Sequence, residues 1–235
     1  MGGSFNAHDR EDNTNGSDFF KAERWKVESL LRQPNLLGTH SLSLGGEYGE
    51  ETGRSSQISA GKRSFRQGGI FLQDQLGWGA FQAVAGARVD FHSEHENAQT
   101  FRLGMGYWLQ PERLRIKYSI GTGFKAPSLY QTYSVYGSRN LRPERSLGSD
   151  LGLELKEGDW STELTFFANR FRDLIDFNLQ SNRYFNQGRA ETYGVEWGTE
   201  YRFGRLRVSN AFTMLRAVNP ENGQQLLRRP RLSNN

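Results

Sequence analysis

The chain has 235 residues, no cysteine, 27 glycines, 35% apolar and 13% aromatic residues, and a net charge of +4 from 30 basic and 26 acidic side chains. The missing cysteines exclude a disulfide framework, a zinc–thiolate site and a cysteine nucleophile, and no apolar run reaches the ~18 residues of a membrane helix. The chain also opens without the basic-then-apolar stretch of a signal peptide, and its basic residues are spread rather than gathered into a nucleic-acid patch, the nearest cluster being Arg228, Arg229 and Arg231.

The head, DREDNTNGSD at 9–18, reads as a polar, acidic loop. Asp9, Asp12 and Asp18, with Glu11, Asn13 and Asn15, offer the hard oxygen donors that calcium takes. The position twelve along from Glu11 is Ala22 rather than Glu, so a solvated loop is the favoured reading and calcium the one cofactor it admits.

From there the two-residue period of a β-strand dominates. Strands are predicted over roughly 20–33, 37–50, 66–76, 79–91, 99–109, 113–121, 147–156, 159–174, 189–203 and 205–217. In 37–50, Leu42, Leu44 and Tyr48 oppose Ser43 and Glu47; in 79–91, Phe81, Ala83, Ala85, Ala87, Val89 and Phe91 share a face. In 99–109, Phe101, Leu103, Met105, Tyr107 and Leu109 oppose Arg102, Gly104, Gly106 and Trp108, and in 113–121 Leu114, Ile116, Tyr118 and Ile120 oppose Arg113, Arg115, Lys117 and Ser119. Phe71 and Asp74 break the alternation in the third strand, and Phe167 breaks it in the eighth. Connections alternate short and long, with LGWG, QPE, KEGD and FGR on one side and 51–65, 92–98, 122–146, 175–188 and 218–227 on the other. An antiparallel sheet sends alternate turns to opposite edges, so the tight turns share one edge and the long loops the other. About ten long alternating strands with that asymmetry are the pattern of an antiparallel transmembrane β-barrel, apolar outside and polar within. A soluble all-β module would have shorter strands, near five or six residues, and no such edge asymmetry.

The long-loop edge carries the distinctive motifs. GFKAPSLYQTY leaves the sixth strand for the longest loop, NLRPERS leads back into the seventh, FRDLIDF closes the eighth, RYFNQGRAETYGVEW opens the ninth, and LLRRP follows the tenth. In this order the motifs resemble the barrel of TonB-dependent outer-membrane receptors, and most closely the cobalamin (vitamin B12) receptor branch. The resemblance covers roughly residues 60–232.

The resemblance implies a barrel of about 22 strands occluded by a plug. It implies uptake of cobalamin or a similar large chelate or siderophore across a Gram-negative outer membrane, with lipid around the barrel and the TonB energy-coupling complex acting through the plug. It implies no covalent chemistry, in keeping with the lack of G-x-S-x-G, H-E-x-x-H and Walker patterns. At this length residues 1–235 read as one barrel region without the plug and the last strands, QQLLRRPRLSNN beginning an eleventh strand. The alternative is a passive porin-like or structural barrel that closes on itself.

Candidate ligand contacts are Tyr130, Tyr133 and Tyr136 in the longest loop, with Arg139 behind them. Tyrosine supplies a large rigid face and a hydroxyl, and an interfacial girdle would use it equally. His92 and His95, with Glu94 and Glu96, read as part of a solvated loop rather than a metal site.

Overall fold

A computed structural model describes residues 2–12, 18–58, 61–226 and 229–234, with the backbone alone for 2–12 and 18–20. The chain forms one antiparallel sheet in which every strand pairs with its neighbours in sequence. The strands are β1 (Gly2–Asp12), β2 (Asp18–Leu36), β3 (His40–Ser55), β4 (Lys62–Trp78), β5 (Phe81–His92), β6 (Ala98–Gln110), β7 (Leu114–Lys125), β8 (Glu144–Glu157), β9 (Trp160–Asn178), β10 (Arg183–Phe203), β11 (Leu206–Val218) and β12 (Leu232–Asn234). A five-residue helix, α1 (Leu129–Tyr133), interrupts the longest loop. No helix among the described residues is long and apolar enough to cross a membrane.

All ten expected strands are present, and three points of the sequence reading change. Residues 9–12 are not loop but the end of β1, which pairs along its length with β2. The third strand is regular despite Phe71 and Asp74, because Asp74 is engaged at 2.6 Å by His40. β9 and β10 run on through the expected 175–188 loop, leaving only residues 179–182 as the turn. The chain after β11 does return as a strand, β12, three residues long. Among the described residues β1 and β12 each have one neighbouring strand and do not pair with each other, so these strands form an open wall and not a small closed barrel.

Three of the tight turns are built on glycine. Gly79, Gly158 and Gly204 each occupy the first position of a two-residue hairpin turn with φ of 56–57°. That left-handed backbone matches the twist of the flanking strands and costs glycine little.

Register aligns the apolar faces into rows. Leu76, Ala83, Met105, Tyr118, Leu151, Phe166, Val195 and Met214 are successive cross-strand partners from β4 to β11. Met105, Tyr118, Leu151, Phe166 and Met214 are nevertheless 36–52% exposed. A row that wide is far beyond what a water-facing surface tolerates and is what hydrocarbon requires. The opposite face carries ion pairs instead: Lys117 meets Glu163 at 2.6 Å and Glu154 at 3.4 Å, and Arg88 joins Glu47 and Asp90.

Candidate functional site

The site forms on the long-loop edge, where the 126–143 segment between β7 and β8 lies across its neighbours. Pro127 is fully buried and ends pairing. Ser128 then caps α1: its hydroxyl accepts the Gln131 N–H while the Gln131 side chain accepts the Ser128 N–H. This capping box makes a helix of the stretch that sequence alone presented only as loop. Leu129 and Thr132 are buried by it, beside Ile58 and Phe65. On one side Val135 N–H donates to the Gln57 carbonyl at 2.8 Å; on the other Tyr184 N–H donates to the Tyr136 carbonyl at 2.9 Å. The loop is thus a strap between the β3–β4 and β9–β10 connections.

The four candidate residues separate into two groups. Tyr133 and Arg139 meet directly: the Arg139 guanidinium lies 5.3 Å and the Arg63 guanidinium 4.9 Å from the centre of the Tyr133 ring. The Tyr133 hydroxyl donates to Glu94 at 2.7 Å. Burial and the Glu94 carboxylate push the Tyr133 phenol above its ordinary range, so it stays a neutral donor. Tyr130 and Tyr136 turn the other way. Tyr130 sits edge-on to Tyr184 and donates to Gln57, and Tyr136 sits edge-on to Phe177, which itself contacts Tyr184. Sequence places Glu94 only with His92 and His95 and does not single out Arg63 or Gln57, since each lies on a different strand or loop from the tyrosines and only strand register brings them together.

His92 and His95 are half-buried, in a turn whose other residues are exposed. Their rings lie 4.8 Å apart and both pack on the buried Phe65, 4.7 Å and 5.4 Å from its ring. Burial holds the His95 imidazole below its ordinary range against the opposing pull of Glu94. Asp9, Asp12 and Asp18 have only their backbones described, and Asn13 and Asn15 lie outside the described residues. Among the described residues no cluster of acidic, histidine or cysteine side chains has the makings of a metal site.

The family-like motifs converge on Asn186. Its side chain accepts the Arg142 N–H at 2.8 Å and donates to the carbonyls of Arg142 at 2.9 Å and Asp173 at 2.7 Å. Arg142 also pairs with the Asp173 carboxylate at 2.6 Å, and Glu144 accepts the Ile175 N–H at 2.9 Å. NLRPERS, FRDLIDF and RYFNQGRAE are therefore one junction at the foot of the strap. Asn186→Ala removes three hydrogen bonds at once, each worth about 1 kcal/mol. Trypsin is expected to nick the variant at Arg139 severalfold faster, while its folded band on unheated gels persists. Equal nicking in variant and parent refutes this role.

A family model described as "TonB dependent receptor-like, beta-barrel" matches residues 2–235. Among solved structures the chain is similar to the siderophore receptor PirA from Pseudomonas aeruginosa, at 25% identity and a TM-score of 0.77, over 85% of this chain and 41% of that one. It is similar in fold to a variant of the ferric enterobactin receptor PfeA from the same species, at 21% identity and 0.80, over 99% and 42%. A third similarity in fold is to the FrpB iron transporter from Neisseria meningitidis, at 16% and 0.71, over 88% and 37%. The chain spans less than half the length of each of these structures.

Proposed function

We propose that this chain, which belongs to the TonB dependent receptor-like β-barrel family, is wall and ligand-facing edge of an outer-membrane receptor for active uptake of a large metal chelate. The observation that carries the reading is the Tyr133 ring with the Arg63 and Arg139 guanidiniums close over it on the long-loop edge. A flat aromatic beside two cations suits an anionic ligand with aromatic or chelate faces. The siderophore receptors among the similar structures support a ferric siderophore as the chelate, and the order of the edge motifs supports cobalamin. Tyr130, Tyr133, Tyr136 and Arg139 are the proposed contacts, Arg63 joins them, and any calcium would be held by Asp9, Asp12 and Asp18 rather than in this site.

In a Gram-negative strain carrying this receptor as its only chelate receptor, uptake of labelled ferric enterobactin and labelled cobalamin separates the two ligands. The expected result is uptake of one of them that stops when TonB is removed. Uptake of neither, or uptake indifferent to TonB, overturns the reading, and the second result would favour a passive barrel.

A further inference from the structure

His92 is the last residue of β5, and its Nδ1 accepts two backbone N–H groups, those of Glu94 and His95, each at 3.2 Å. These two bonds shape the 93–97 turn. The turn in its line places Glu94 on the Tyr133 hydroxyl and His95 Nε2 3.4 Å from the Thr132 hydroxyl, so it props α1 from below. An imidazole accepts at Nδ1 only when neutral with its proton on Nε2; an imidazolium has no acceptor at all. The same job is done elsewhere on this edge by a group that does not titrate. Asn178 ends β9 and accepts the N–H groups of Gln180 at 2.8 Å and Ser181 at 3.1 Å, the same two-and-three-residue spacing. Asparagine is the ordinary choice for that turn; histidine makes it sensitive to acid.

We propose that His92 is an acid-sensitive latch on the ligand-facing loops: protonation of its Nδ1 strips the 93–97 turn of its acceptor, withdraws Glu94 and His95 from α1, and frees the strap that carries Tyr133. The surroundings oppose a compensating charge. Glu94 is taken by Tyr133 and Glu96 by Arg145 at 3.3 Å, the His95 ring lies only 4.8 Å from that of His92, and the next cations, Arg63 on β4 and Arg139 beyond α1, sit over the Tyr133 ring. Burial disfavours a cation on His95 as well. The closed form therefore binds fewer protons than the open one below the ordinary histidine pKa of about 6.5, and the latch weakens as pH falls through and below that value. This holds whichever chelate the receptor takes.

Hydrogen exchange of the folded protein in detergent micelles, with protection factors corrected for the intrinsic pH dependence, tests it over residues 94–97 and 129–135. Each pKa unit separating open from closed forms is a tenfold change in their ratio, so protection is expected to fall at least about tenfold between pH 7.5 and pH 4.5. His92→Asn keeps an acceptor that does not titrate and stays protected at both pH values. His92→Phe keeps a ring without an acceptor and is poorly protected at both. Glu94→Gln retains the fall seen in the parent. A flat parent profile, a His92→Asn variant that falls like the parent, or a Glu94→Gln variant that abolishes the fall overturns the latch. If His92→Phe does not fold, the parent, His92→Asn and Glu94→Gln decide it.

Discussion

Gly194→Val is expected to prevent the β10–β11 hairpin from assembling, whereas Gly198→Val, four residues along the same strand, is tolerated. A side chain at 194 would be driven into the Met214 backbone carbonyl across the β11 pairing and would meet Phe167 Cζ at 2.9 Å. Phe167 is the residue that breaks the alternation of β9, and its register partner is Gly194, so the ring occupies the space the glycine leaves. At 198 no heavy atom lies within 4 Å of an added Cβ. Overpacking a yielding side-chain environment costs ~1–3 kcal/mol. Here one obstacle is a carbonyl fixed by strand pairing, so the cost of Gly194→Val is expected to exceed about 3 kcal/mol. Heat-modifiable gel migration in detergent measures it: the Gly198 variant runs as the folded parent does, and the Gly194 variant loses the folded band. Two variants that migrate alike would show that the 194 contact is not a constraint on assembly.

That pair of glycines also shows what pattern alone conveys. The two-residue alternation was sufficient to place every long strand from β2 to β11, because one apolar face must run unbroken along a strand that meets hydrocarbon. Its local failures, Phe71, Asp74 and Phe167, marked places where the partner strand supplies the explanation: Phe167 over Gly194, and Asp74 against His40. Pairing partners are not visible in a single stretch of sequence. The same limit explains the 175–188 segment. Its Asp, Asn and Gln residues look like loop composition, yet they continue as strand because Asn186 and Glu144 satisfy backbone groups of β9 and of the 142 turn from across the junction. The candidate site was half legible. Tyrosines and Arg139 announce themselves in a long loop, but Arg63, Glu94 and the His92 turn come from β4 and the β5–β6 connection, and nothing local assigns them to α1.

Tyr133→Ala is the substitution with the largest expected effect on ligand binding. The ring organises three charged groups: Arg63 and Arg139 over the ring and Glu94 on its hydroxyl. Cation–π contacts contribute from about 0.5 kcal/mol when exposed to about 2 kcal/mol when desolvated. Removing the ring therefore loses a contact surface and releases two long arginines into solvent, where holding them for a ligand costs side-chain entropy. A central aromatic of this kind loses ~2 kcal/mol or more on truncation, which is a fall in affinity of about thirtyfold or greater. Tyr133→Phe keeps the ring and the arginine stacking and loses only the Glu94 bond, so its affinity is expected to fall less than about tenfold. Arg63→Ala with Arg139→Ala leaves the ring and removes the charge. It is expected to match Tyr133→Ala in affinity at low salt, and alone among the three to flatten the dependence of binding on ionic strength. Fluorescence titration of the intact receptor in micelles with ferric enterobactin, across an ionic-strength series, reads all three. A Tyr133→Ala variant that binds like the parent, or a double arginine variant with the parent's salt dependence, would remove the clamp from the ligand path.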